Sequence, residues 1–170
     1  MKTRALILDD ISHAMETAAS TADVQAIYAA IDELAQRTIG HRLFTVVRYL
    51  VATAEVERLY SSNPSAYPPG GRKPTQGTFW GEAVLDRGEV FFAADAERVR
   101  ASYSDHALLS RLGISAIMNV PIRFRGLVLG TMNLSHGAGH YSARTIEPGQ
   151  VTAGLLVPLL LDGTQASSSR

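Results

Sequence analysis

An α+β fold with a mainly antiparallel sheet of five or six strands is predicted, and three features of the chain carry it. Hydrophobic periodicity is helical near both ends, over residues 4–35 and again beyond residue 145. Between them it changes to β-branched and aromatic runs. Two pairs of these runs are joined by short connections, Leu43–Val51 to Val56–Tyr60 and Ala116–Phe124 to Leu127–Ser135, and hairpins make antiparallel neighbours. The apolar faces of the terminal helices then need that sheet to cover them.

Element by element, Leu8, Ile11, Met15 and Ala18 form the stripe of an amphipathic helix over residues 4–18. Ser20 or Thr21 caps a second helix, with Val24, Ile27, Tyr28, Ile31, Leu34 and Ala35 on one face and Gly40 ending it. The first hairpin follows. Residues 61–77, rich in Ser, Pro and Gly, read as a long surface loop, and loops of that length are often functional. Thr78 opens a short helix closed by Gly88, and Val90–Ala93 is a third strand. Ser104 caps a helix that ends at Gly113. The second hairpin turns at Arg125-Gly126. Thr145, with Pro148 in the first turn, starts a last helix that Pro158 should kink or end. The expected division is an N-terminal helix over 1–20, the main domain over 21–161 and a disordered Ser-rich tail over 162–170.

Composition narrows the function. The 170 residues suffice for one domain with a sizeable core. Lys plus Arg equals Asp plus Glu at 16 each, so no basic excess marks a nucleic-acid partner. There is no cysteine, hence no disulfide, thiolate nucleophile or thiolate metal site. The richest apolar run, Leu155–Leu161, is far short of the ~20 residues of a membrane span. The N-terminal apolar stretch stops at Asp9-Asp10, unlike a signal peptide, so a cytoplasmic protein is expected. No Gly-x-Ser-x-Gly turn or other nucleophile–base pair supports an enzyme.

Four stretches then carry a family resemblance. Trp80–Gly88 ends in Val-Leu-x-x-Gly, and Val90–Asp95 is a short strand ending in Asp. Leu112–Ile122 runs Gly-x-x-Ser into a strand ending in Val-Pro-Ile, and Arg125–Leu134 completes a hairpin with Gly130 before its last alternation. Together, over roughly residues 22–160, these resemble the GAF domain. The resemblance implies a GAF-like, profilin-like central antiparallel sheet, with terminal helices on one face and a pocket-covering segment on the other. It implies a small-molecule sensor whose ligands range over cyclic nucleotides, bilins, haem and amino-acid or aromatic effectors. Because the match fills the chain, output is expected through another protein in trans. The alternative is the same fold with a dry core, serving only dimerisation. Lack of cysteine removes the family's methionine-sulfoxide reductase chemistry and covalent bilin attachment.

The ligand-binding candidates are Trp80, Phe92, Tyr103, His106, Asn119 and Asn133; the cofactor is left open and no metal is expected. The aromatics lie in the pocket-covering segment, where they serve a ligand or simply the core. His106, beside Asp105, is an Asp-oriented base or ordinary helix-start chemistry, the second being favoured. His136 and His140 have ligand spacing for a helix but sit in a Gly-containing loop. Asn119 and Asn133 interrupt apolar strands, and a buried amide must find partners. Counting across the Arg125-Gly126 turn pairs odd positions with even ones and puts the two amides on opposite faces. Finally, the last helix is apolar over much of its circumference (Leu155, Leu156, Val157, Leu159, Leu160), so a homodimer through the terminal helices is expected.

Overall fold

Change of period becomes change of structure at the expected places. The computed structural model describes residues 8–167, with side chains to residue 162. Helices α1 (Leu8–Ser20) and α2 (Val24–Thr38) precede strands β1 (Leu43–Leu50), β2 (Glu55–Ser61) and β3 (Arg72–Pro74). A π-helical turn (Gly81–Asp86), β4 (Phe91–Ala93), α3 (Ala96–Ser102) and α4 (His106–Arg111) form the middle of the chain. Then come β5 (Ala116–Phe124), β6 (Leu127–His136), α5 (Ile146–Leu155) and α6 (Val157–Ser167). The six strands make one antiparallel sheet in the order β3-β2-β1-β6-β5-β4.

Each face of the sheet carries its own core. Phe44, Val46, Met118, Val120, Ile122, Met132 and Leu134 meet Ile27, Ile31 and Leu34 of α2 and Leu156 and Leu160 of the C-terminal helices. On the opposite face, Leu43, Val47, Val56 and Ile117 meet Trp80, Val84, Val99, Tyr103 and Leu109 from the covering segment. Alternation along the strands makes this two-sided arrangement from one sequence.

Several local expectations are corrected. Asp23, rather than Ser20 or Thr21, caps α2, its Oδ1 accepting the Gln25 N–H at 3.0 Å. Residues 61–77 are not all loop: β3 pairs with β2 at the sheet edge, where Pro74 is tolerated. The seven-residue α3, capped by Asp95, was not foreseen. Pro158 falls in the first turn of α6, where its missing N–H is harmless, so the last helix divides and continues to Ser167. Residues 168–170 and 1–7 lie outside the described residues. Helix α1 is rotated from its expected face. Asp10 and Ala14 turn inward, Asp10 pairing with Arg37 at 3.2 Å, while Leu8 and Met15 are 80% and 57% exposed. Leu156 and Leu160, expected to contribute outer apolar surface, are fully buried.

The most consequential correction concerns register. Arg125 and Gly126 both have positive φ, as the tight two-residue turn demands, and Phe124 and Arg123 pair with Leu127 and Val128. Ile122, however, pairs with Gly130. Leu129 is the extra residue of a β-bulge, and beyond it odd positions face odd ones. Asn119 therefore stands directly opposite Asn133, on the same face. Gly130 sits where β6 crosses β1 so closely that a Cβ would run into the Val47 carbonyl oxygen.

Candidate functional site

Under the covering segment, the strand face opposite the helices lines a half-open cavity of about 80 Å³. Its floor is a row of polar side chains across the three central strands: Thr45 of β1, Thr131, Asn133 and Ser135 of β6, and Asn119 of β5. Leu43, Val47, Val56, Ile117, Trp80 and Leu109 supply apolar walls. Arg58, Lys73, Tyr67 and Asp105 complete the lining on the β2–β3 side.

The floor is one hydrogen-bonded network. Tyr103 donates its phenol O–H to Asn119 Oδ1, and Asn119 Nδ2 donates to Asn133 Oδ1 at 2.7 Å. Thr131 donates to that same Oδ1 at 2.7 Å, and Asn133 Nδ2 donates to Thr45 Oγ1 at 3.1 Å. Asn133 is thus the hub, with both Oδ1 acceptor positions used inside the protein. Burial, reinforced by the nearby Asp105 charge, pushes the Tyr103 phenol up, so it stays a donor at neutral pH.

A second cluster ties the β2–β3 edge to α4. Lys73 Nζ lies 2.7 Å from Asp105 Oδ1, and Tyr67 Oη donates to Asp105 Oδ2 at 2.9 Å. Burial alone would raise the Asp105 carboxyl; the Lys73 ammonium and the hydrogen bonds from Lys73 and Tyr67 outweigh it and hold it below its ordinary value. Asp105 is the residue before α4, yet its carboxylate makes no capping bond there because it is committed across the cavity mouth. The Arg58 guanidinium stacks 4.9 Å from the Tyr67 ring centroid and donates Nη1–H to the Pro68 carbonyl at 2.9 Å. Its Nε is buried without a partner.

Of the six candidates, Trp80, Tyr103, Asn119 and Asn133 line this cavity. Two do not. Phe92 pairs with Met118 and packs on the helix-side core, because its neighbour Phe91 already takes the cavity face opposite Asn119. His106 opens onto a separate surface groove with Ala96, Val99 and Arg100, since α4 turns it away from its neighbour Asp105. Arg58, Lys73, Asp105, Thr45 and Thr131 were missed as candidates. The alternation Thr131-x-Asn133-x-Ser135 carried a legible signal for a polar strand face.

His136 and His140 stack with ring centroids 3.6 Å apart, but His136 Nδ1 accepts the Gly137 N–H and His140 Nε2 bonds the Ile39 carbonyl oxygen. Among the described residues no group of three or more His, Asp or Glu could hold a metal ion. Nor, among them, is any helix long and apolar enough to cross a membrane.

With this geometry in hand, comparisons with known proteins give a consistent picture. A family model described as GAF domain matches residues 9–161, so all of α1 but Leu8 lies within the matched segment. No curated protein matches the chain. Among solved structures, it is similar to the GAF domain of an Acinetobacter phosphoenolpyruvate-protein phosphotransferase: TM-score 0.73, 13% identity, covering 95% of this chain and 96% of that one. The corresponding domain from Coxiella burnetii gives 0.71, 15% identity and 96% of each chain. The chromophore-binding domain of a bacteriophytochrome from R. palustris gives 0.67 and 12% identity, over 94% of this chain and 61% of that one.

Proposed function

Because this chain belongs to the GAF domain family, a family of sensory and signalling domains, we propose that it is a small-molecule-binding sensor module whose ligand occupies the cavity between Trp80 and Asn133. One observation carries this reading. A half-open cavity of about 80 Å³ joins apolar walls to a polar floor whose side chains are already oriented by one another, the usual composition of a small-molecule site. A neighbour of the same fold is itself a chromophore-binding domain. Binding rather than turnover is the role that the residues suit: the lining contains no His, and its one carboxylate is held by Lys73 and Tyr67. In this reading the module works in the cytoplasm and passes its response to a signalling partner.

Trp80 is the single tryptophan and is buried in the cavity wall, so its fluorescence is the reporter. Titration with a bound compound should change its emission, and Asn119→Ala should weaken binding by about tenfold, the loss of one or two hydrogen bonds. A library covering acids, amides, amines and aromatics that leaves Trp80 emission unchanged at millimolar concentration would argue for the second reading, a dimerisation protein with no ligand.

That second role can also accompany the first. Leu8 and Met15 of α1 and Val151 of α5 are exposed, and Met15 lines a groove with Ala14, Ala18, Ile31, Leu155 and Pro158. A second copy of this chain is the occupant we propose, since one apolar patch then serves both subunits about a two-fold axis. Sedimentation at micromolar concentration should give a dimer, and Leu8→Asp with Met15→Asp a monomer of unchanged circular dichroism. A monomeric parent, or a dimeric variant, would remove this interface.

A further inference from the structure

The two cations lining the cavity are not equivalent. Lys73 is matched by Asp105 at 2.7 Å. Arg58 makes no ion pair among the described residues. Its Nη1 has the Pro68 carbonyl, its Nε has nothing, and its positive charge is partly withdrawn from water. Two cations and one anion leave the lining with one net positive charge. Burial works against that charge, with Tyr67 and Asp105 favouring it. The guanidinium is nonetheless built into place rather than left at the surface. Its central carbon lies 4.9 Å from the Tyr67 ring centroid, and a Cβ at Gly71 would lie 2.7 Å from Nη1, so glycine keeps its berth open.

Arg58 pairs in register with Val47, one strand from Thr45 and on the same face as the polar floor. Within that floor Asn133 Oδ1 is saturated, whereas Thr45 Oγ1 accepts from Asn133 and keeps its own O–H to donate. Donors thus face the space from the β2 side and from below, while Val47, Val56 and Trp80 offer carbon. Size sets a further limit. A closed cavity of about 150 Å³ accommodates benzene, so the about 80 Å³ of this half-open one buries roughly three to five heavy atoms of whatever enters it.

Resting on the cavity reading above, we infer that the ligand is a compact monocarboxylate, its carboxylate on the Arg58 guanidinium and its short carbon tail against Val47, Val56 and Trp80. A planar guanidinium matches a carboxylate with two parallel hydrogen bonds. A cationic ligand would meet uncompensated charge. A neutral amide would leave the Arg58 charge desolvated and unpaired, the more costly state. A phosphate has no carbon to lay on the apolar wall.

The test uses the full chain in ¹H–¹⁵N spectra, reading the Trp80 indole and the Asn119 and Asn133 side-chain amides. The probes are acetate, propionate, propionamide, propylammonium and inorganic phosphate. Propionate should bind at least tenfold more tightly than propionamide. Arg58→Gln should abolish that preference, Arg58→Lys should retain part of it, and Lys73→Gln, which removes a matched charge, should change it less than Arg58→Gln does. Equal binding of propionamide, stronger binding of phosphate, or an unaltered preference in Arg58→Gln would overturn the carboxylate assignment and leave the sensor reading standing. If none of the five probes moves the three reporters, the carboxylate assignment fails; the sensor reading falls with it only if the wider library also leaves Trp80 silent.

Discussion

Gly130→Ala is expected to lower stability by about 4 kcal/mol or more, a loss in the range that marks a specific structural failure. The added Cβ would meet the Val47 carbonyl oxygen of the neighbouring strand and lie 2.9 Å from Leu160 Cδ2. Neither neighbour has room. Val47 belongs to a central strand paired on both sides, and Leu160 is one of the fully buried side chains of the helix-side core. Overpacking elsewhere typically costs 1–3 kcal/mol because side chains can shift, whereas backbone in mid-sheet cannot. Against a usual total of 5–15 kcal/mol, much of the folded population should be lost. Gly154→Ala makes the matching control. Its Cβ would meet nothing within 4 Å, and in the last turn of α5, with no positive φ to strain it, alanine should gain about 0.4–1 kcal/mol. Urea melts of the two variants decide the matter; a Gly130→Ala midpoint close to the parent's would mean that β6 and β1 can separate without cost.

Asn119→Ala should produce the second-largest effect, about 2–4 kcal/mol. It removes the acceptor of the buried Tyr103 phenol and the donor to Asn133 in one step. Each orphaned buried partner costs about 1–3 kcal/mol, more than an average hydrogen bond contributes. Tyr103→Phe should cost less, about 1–2 kcal/mol, since it leaves only the Asn119 oxygen short of one donor. The two losses should not add. A double-mutant cycle is expected to show about 1 kcal/mol or more of coupling, and additivity within about 0.5 kcal/mol would break the network apart as a physical unit.

How far the residues themselves disclosed this arrangement depends on how local the signal was. The α2 face from Ile27 to Ala35 and the existence of both hairpins follow from periodicity within single segments and stand as expected, whereas the register of the second, shifted by its bulge, does not. Strand β3 and helix α3 did not show, being three and seven residues long and lacking any run of period. The α1 face went astray because Leu8 and Met15 make a better stripe than Asp10 and Ala14; the Asp10–Arg37 pair on α2 decides it instead. In the cavity, Trp80 and Asn119 could be named from the covering segment and from an amide in an apolar strand. Choosing Phe91 over Phe92 needed the pairing with Asn119, which no single strand contains. Arg58 and Lys73 reach the cavity from an edge ribbon that closes only when β3 folds back on β2, so their part was written in no nearby motif.

The bulge at Leu129 has one more implication, for what the hairpin tip can become. In a regular hairpin the turn dictates which side of the sheet every later residue faces, so changing its length reassigns the whole strand. Here one unpaired residue absorbs the parity mismatch between the Arg125-Gly126 turn and the body of the ribbon. Beyond it, Asn133 remains opposite Asn119 whatever the tip does. Residues Arg123–Leu127 are all exposed, and the two backbones there hold neither the cavity floor nor the helix-side core. The tip is therefore a natural graft point: a foreign peptide, an epitope or a docking sequence can be spliced in while the domain's interior keeps its own frame.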